Sequence, residues 1–198
     1  MQNLIFATHN THKHTEVKEI LKDFTQINII SLNDLNIIEP IPEDFNTLEE
    51  NALQKARFIY NLTKKSCFSD DTGLFIKYLE GKPGVFSARY AGESCSFEDN
   101  MNKVLTEMAF ATDRSAYFST VIAICCKSGE FLFEGKVDGI ILKEKQGNHG
   151  FGYDPIFQPK NYSVSFANMS SEIKNKISHR GLAFEKFKVF LKKNGLQF

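Results

Sequence analysis

The chain has 198 residues, 42 % of them hydrophobic, and carries 24 Lys+Arg against 24 Asp+Glu. An apolar fraction of that size can bury one large domain or two small lobes sharing a core, which excludes a disordered chain. The charge balance excludes a general nucleic-acid binder, which carries a basic excess, and leaves room for a local basic pocket for one anionic small molecule.

No apolar run approaches the roughly 18 to 20 residues that cross a bilayer, so no membrane association is expected. The opening segment Met1 to Thr8 lacks a basic stretch followed by a full apolar one, so it does not read as a signal peptide. Cysteines stand at 67, 95, 125 and 126 with no C-x-x-C spacing, which argues against a zinc knuckle or redox motif. A reduced, cytoplasmic location is expected. The 19 Phe, with no Trp, read as core filling.

Asn3 to Thr8 reads as a short buried strand, followed by a helix with Val17, Ile20, Leu21 and Phe24 on one face. Ile27 to Leu32 reads as a second strand. Thr47-Leu48-Glu49-Glu50 is a capping box opening a helix through about Leu62. Cys67-Phe68-Ser69 leads to Asp70-Asp71-Thr72-Gly73, read as a strand end and tight turn, after which Gly73 to Leu79 resumes an apolar run. Ser96 with Asp99 starts another helix, with Met101, Val104, Leu105 and Met108 on one face. Ala116 to Cys126 and Phe131 to Leu142 form a hairpin around Lys127-Ser128-Gly129-Glu130. A last helix carries Ala183, Phe187, Phe190 and Leu191. The five prolines all fall in stretches that read as turns. Helices alternating with strands early, then a long hairpin, predict an α/β fold with a central mixed sheet. No linker separates domains, so residues 1–198 are expected to form a single domain.

Five polar clusters exceed what such a fold needs. Thr8-His9-Asn10-Thr11-His12-Lys13 lies between strand and helix, either as a phosphate cradle at a helix N-terminus or as an ordinary cap with a solvated lysine. Glu39, Glu43, Asp44, Glu49 and Glu50 precede or open the second helix, mostly as a complement to its dipole, with room for one or two metal ligands. Lys55 follows five residues after Glu50, a spacing that does not make an intrahelical ion pair. Ser69-Asp70-Asp71-Thr72-Gly73 sets adjacent carboxylates after an apolar strand, which is costly unless a cation neutralises them. Hard oxygen ligands suit Mg²⁺; the alternative is a turn with Gly73 at positive φ. Gly147-Asn148-His149-Gly150-Phe151-Gly152-Tyr153-Asp154-Pro155 offers close backbone approach, two aromatic stacking faces and an acceptor for a purine N–H; the alternative is a flexible loop between sheet and helix. Lys174, Lys176, Ser178, His179, Arg180 and Gly181 gather cations near a helix start, where the dipole penalises them unless an anion is present; the alternative is ordinary surface charge.

In order and spacing these clusters form a specific set. Thr8-x-Asn10-x-x-Lys13, Glu50-Asn51-Ala52-x-x-Lys55-Ala56, Asp70-Asp71-Thr72-Gly73-Leu74 and Pro83-Gly84-x-x-Ser87-Ala88-Arg89-Tyr90 all occur. Gly150-Phe151-Gly152-Tyr153-Asp154-Pro155-x-Phe157 and Ile177-Ser178-His179-Arg180 complete it. The set closely resembles the inosine triphosphate pyrophosphatase family, over about residues 3 to 190. The resemblance implies an elongated, two-lobed α/β fold with a nucleotide cleft between the lobes, a Mg²⁺ requirement and a homodimer. It implies hydrolysis of inosine, deoxyinosine and xanthosine triphosphates (ITP, dITP, XTP) to monophosphate and pyrophosphate. By motif, Thr8, His9, Asn10, Thr11, His12 and Lys13 would bind the triphosphate, with Lys55 a further substrate-binding cation. Asp71 would be the central catalytic carboxylate and metal ligand, with Asp70 beside it and Thr72 next to the substrate. Phe151, Gly152, Tyr153, Asp154, Lys174, His179 and Arg180 would bind the nucleotide, chiefly its base. Two positions depart from the family pattern: Asn168 stands where Glu is usual, and Pro42-Glu43-Asp44 replaces a regular glutamate pair. Glu43 is taken as the second metal ligand.

The residue types suit attack by water at the α-phosphorus, with Lys13 and helix amides holding the leaving pyrophosphate and Asp71 or Asp70 positioning the water or accepting its proton as the catalytic carboxylate. Donors from His179 or Arg180 would favour a 6-keto purine and oppose the 6-amino group of adenine, a mismatch that can discriminate by roughly 10⁴ when buried. Three alternatives are an orthophosphate-releasing phosphatase, a pyrophosphatase for other modified or standard nucleotides, and a non-catalytic nucleotide sensor.

Overall fold

A computed structural model describes residues 2–194. The first apolar run forms β1 (Gln2–Phe6), in which Leu4, Ile5 and Phe6 are buried. It stops two residues short of the expected end because Thr8 N–H turns back to the carbonyl of Phe6. Asn10 then caps α1 (Thr11–Ile20) by accepting from Lys13 N–H, and Val17 and Ile20 fix its inner face. The strand β2 (Ile27–Ser31) runs parallel to β1 on one side, and β3 (Cys67–Ile76) runs parallel to it on the other. Between them, α2 (Leu48–Thr63) begins where Thr47 Oγ1 accepts from Glu50 N–H. That expected box closes differently: the Thr47 hydroxyl, not its backbone N–H, reaches the Glu50 carboxylate at 2.7 Å. The full reciprocal box is the one at Ser96 and Asp99, opening α3 (Phe97–Glu107).

The turn expected at Asp70 to Gly73 is absent. The ten residues of β3 run through it without a break, and Gly73 lies within the strand, not at positive φ. Glycine is needed there for another reason. The two-residue strand β4 (Pro83–Gly84) pairs antiparallel with β3, and a Cβ at Gly73 would meet the Gly84 carbonyl oxygen at 2.7 Å. The expected hairpin forms from β5 (Ser115–Cys126) and β6 (Gly129–Ile141). β7 (Phe157–Pro159) then pairs antiparallel with β6. Pro83 and Pro159 therefore sit in short strands, correcting their reading as turn residues; a proline is tolerated where no ladder N–H is needed. The strand order is β2-β1-β3-β5-β6-β7 with β4 beside β3, a mixed sheet accompanied by helices, as expected. The chain ends in α4 (Ser171–Ile177) and α5 (His179–Asn194).

The chain divides into two compact units: Met1–Asp71 with Thr120–Gly135 and Arg180–Phe198, and Thr72–Ser119 with Lys136–His179. The first is built on Phe6 stacked against Phe68 at 4.5 Å, with Val17, Ile122, Phe184 and Phe187 around them. The second packs Leu74, Val104, Phe118, Phe157 and Phe166. Phenylalanine fills both cores, as its abundance suggested. Among the described residues no helix is long and apolar enough to cross a membrane.

Candidate active site

Alternation along β3 sends Asp70 and Asp71 to opposite faces of the strand, and each meets different partners in the first unit. Asp70 is fully buried: Lys13 Nζ reaches Oδ1 at 2.9 Å, and Arg180 reaches Oδ2 through Nη2 at 3.1 Å. Arg180 is itself 2 % exposed and also donates to Glu16 at 2.6 Å. Asp71 accepts from Lys55 Nζ at 2.8 Å, and the same ammonium is held by Glu43. Asn51 Nδ2 stands 3.5 Å from the other Asp71 oxygen. Ser69, from the same motif, donates to the Ala52 carbonyl at 2.5 Å and ties β3 to α2.

Burial alone would lift the Asp70 carboxyl, but Lys13, Arg180 and Lys55 together hold it well below the usual carboxylate range. Burial would likewise weaken the Arg180 charge, and Glu16 with Asp70 restores and strengthens it. Asp71 moves the other way. Burial lifts it above the ordinary value, Lys55 and Lys13 compensate only in part, and Glu43 adds repulsion. Lys55, though buried, stays protonated because Asp71, Glu43 and Asp70 face it. Four carboxylates (Glu16, Glu43, Asp70, Asp71) thus meet three cations (Lys13, Lys55, Arg180). Glu43 and Asp71 both meet the Lys55 ammonium.

Thr8 and Asn10 shape the approach to Lys13. Thr8 Oγ1 accepts from Asn10 N–H at 3.1 Å, and Asn10 Oδ1 accepts from Lys13 N–H at 3.1 Å. His9, Thr11 and His12 are exposed around a helix start that carries no acidic residue in its first turn. The cations read as crowding one helix start are in fact separated. Lys174 lies in α4, while Arg180 opens α5 with Glu16 and Asp70 as the compensating anions.

The second unit holds Thr72, the glycine loop, Lys174 and His179. Asp154 is 3 % exposed, and its Oδ2 accepts from Lys174 Nζ at 2.7 Å and from Phe151 N–H at 2.8 Å. The Asp154 carboxylate therefore holds the loop together. Gly150 has φ +77°, and a Cβ there would strike Asp154 Oδ2 at 2.0 Å, so only glycine fits. Phe151 is half-buried, with Lys174 Nζ 5.2 Å from its ring centre. Tyr153 is buried, and its hydroxyl donates to the Ser87 carbonyl at 2.8 Å. Its ring belongs to the core and does not offer the stacking face read from the sequence. Ser87 in turn bonds Leu74 N–H and the Gly84 carbonyl, which explains the Pro83-Gly84-x-x-Ser87 run. His179 is 4 % exposed and stacks on Phe118 at 4.5 Å. Asn168 lies against the loop as well: a Cβ at Gly147 would meet its Oδ1 at 2.5 Å.

Glu16, Asn51 and Phe118 were not singled out from the sequence. Glu16 had a signal, lying one helical turn after Lys13 on the same face. Asn51 had one in its place between Glu50 and Ala52. Phe118 had none, since it is one phenylalanine among many in a long strand.

The Ham1 family model matches residues 4–190. A "dITP/XTP pyrophosphatase" of Flavobacterium psychrophilum is 49 % identical over 180 residues, covering 91 % of this chain and 94 % of the relative. One of Christiangramia forsetii is 46 % identical over 190 residues, covering 96 % and 99 %. The solved Ham1 protein of Staphylococcus aureus superposes with a TM-score of 0.87 at 36 % identity, over 98 % of this chain and 100 % of that one. The motif set, the fold and these likenesses agree, and the chain belongs to the Ham1 family.

Proposed function

We propose that this chain is a nucleoside triphosphate pyrophosphatase that hydrolyses ITP, dITP and XTP to the monophosphate and pyrophosphate with the help of Mg²⁺. The names of its relatives support the reaction and substrate class. The observation that carries the reading is the unequal charge at the two aspartates: Asp70 is balanced, while Glu43 and Asp71 share one ammonium. Among the described residues no group of three or more His, Cys, Asp and Glu is gathered around one point. Mg²⁺ does not ask for that; it is commonly held by one or two carboxylates with waters and substrate phosphates. Glu43 and Asp71, two carboxylates that meet at one ammonium, fit this donor set. When bound, the ion would screen phosphate charge and lower the pKa of water.

The chain's own residues do the rest. Lys13 and the first-turn N–H groups of α1 hold the leaving pyrophosphate, favoured by the dipole and the absence of acidic residues there. Asp71, whose carboxyl burial lifts above its ordinary value, is suited to accept a proton from the attacking water as it reaches the α-phosphorus. Asp70 keeps Lys13 and Arg180 oriented. His179, fixed by its stack on Phe118, and Phe151, fixed through Asp154, are the groups proposed to read the purine. A 6-keto group accepts what His179 donates, whereas a 6-amino group opposes it. A cytoplasmic homodimer belongs to the same proposal. Four free cysteines suit a reducing compartment, and sedimentation measures the assembly.

Pyrophosphate release from ITP, XTP, dITP, GTP and ATP, with and without Mg²⁺, tests the reading. Fast release from the first three only, abolished by chelation, is expected. Orthophosphate as the product, equal rates across bases, or binding without turnover would each replace it with another reading.

A further inference from the structure

Glu43 reaches Lys55, the ammonium that also holds Asp71, from an irregular stretch with no regular element of its own. Something must hold that stretch at the distance the pair requires. Asn51, 2 % exposed in the first turn of α2, does so by imitating a strand neighbour. Its Oδ1 accepts from Phe45 N–H at 2.9 Å and its Nδ2 donates to the Phe45 carbonyl at 3.1 Å. The second hydrogen on Nδ2 faces Asp71 Oδ2 at 3.5 Å. One carboxamide thus touches both the segment that carries Glu43 and the carboxylate that Glu43 must meet. One turn later, Gln54 repeats the clasp on the solvent side: it accepts from Asp44 N–H at 3.0 Å and donates to Asp44 Oδ2 at 2.6 Å.

We infer that Asn51 is a positioning residue for the proposed reaction, setting the spacing of Glu43 and Asp71 through the Phe45 backbone, with Gln54 as an outer clasp on the same segment. This rests on the proposed function and adds to it the group that makes the carboxylate pair competent for a divalent ion. No other amino acid does the same there. Aspartate lacks both donors and sets a charge against Asp71, while alanine leaves the Phe45 N–H and carbonyl to water. Both sites lie in the same unit as the carboxylates they serve.

The test uses the whole chain and two readouts. Titration calorimetry with Mn²⁺ alone, on nucleotide-free protein, reports the carboxylate pair without turnover. Steady-state pyrophosphate release from ITP separates kcat from KM. For Asn51→Ala we expect Mn²⁺ binding weakened by roughly 10-fold to 100-fold, a comparable fall in kcat, and KM for ITP within about threefold. Gln54→Ala, at a partly exposed position where folding is not at stake, should move the same quantities in the same direction by roughly threefold. If Asn51→Ala lowers Tm but leaves Mn²⁺ affinity and kcat at their wild-type values, Asn51 is only structural and the inference is wrong. If Asn51→Ala does not fold, an unchanged Mn²⁺ affinity in Gln54→Ala overturns it just as well. A wild-type chain that takes up no Mn²⁺ also overturns it. A wild-type chain that binds Mn²⁺ yet releases no pyrophosphate refutes the proposed function instead, and the Mn²⁺ affinities still decide the role of Asn51.

Discussion

Asp70 and Asp71 share a strand and a peptide bond, yet they sit in opposite electrostatic surroundings. Asp70 has no exposed surface and two cations of its own, Lys13 and Arg180, the latter balanced in turn by Glu16. Asp71 shares the single ammonium of Lys55 with Glu43. A carboxylate with a surplus of positive neighbours is an anchor: it stays ionised and holds its partners in place. One that shares its cation with a second carboxylate is a place where a further cation, or a proton, gains the most. Strand alternation alone separates the two roles, so adjacent acids in sequence need not act as a pair.

Exchanging the charge at each position should break the comparison in different ways. Asp71→Asn removes charge without volume, and pyrophosphate release is expected to fall by about 10³-fold or more while circular dichroism and Tm change little. Asp70→Asn should instead cost stability first. It leaves the half-buried Lys13 without its carboxylate and the buried Arg180 with Glu16 but not Asp70, a loss of about 3 kcal/mol. For a chain of this length that is a Tm decrease of roughly 10 °C by differential scanning fluorimetry. If the two variants exchanged phenotypes, the assignment of anchor and reactive acid would be reversed.

The same contrast has a pH signature. Asp70 is held well below the usual carboxylate range in the folded chain, so its contribution to stability is complete above an unfolded value of about 4 and is lost as pH falls through the folded value. Urea midpoints measured from neutral pH down to about pH 2 should therefore fall further below about pH 4 in the wild-type chain than in Asp70→Asn.

Smaller effects sharpen the division between triphosphate and base. Lys13→Ala should weaken all triphosphates alike, by roughly 10-fold to 100-fold in KM, because one charge-assisted hydrogen bond is lost whatever the base. His179→Ala should lower the preference for ITP over ATP by roughly tenfold in kcat/KM while changing the two substrates unequally. Equal losses on both would remove His179 from base reading.

Much of this was legible in the residues, for physical reasons that differ from place to place. The helix starts at Thr47 and Ser96 could be read because capping is local chemistry. The hairpin of β5 and β6 could be read because a short turn lies between two apolar runs. The continuity of β3 through Asp70 to Gly73 could not, since two acids and a glycine look like a turn until the cations that neutralise them, and the strand that Gly73 admits, are in place. Tyr153 was read as a stacking face because its sequence neighbours are glycines; its hydroxyl instead reaches Ser87, 66 positions away in the chain. Glu16 and Asn51 act through contacts across 164 and 20 positions, and spacing alone does not announce such contacts.

In the proposed reaction a water attacks the α-phosphorus of a deaminated purine triphosphate at Asp71. Phosphorus NMR of ITP turned over by the wild-type chain with Mg²⁺ in ¹⁸O-labelled water follows the incoming oxygen. Inosine monophosphate carrying the label, with unlabelled pyrophosphate in equal amount and neither formed by Asp71→Asn, is the expected result; label in the pyrophosphate, or inosine diphosphate with orthophosphate, would overturn it.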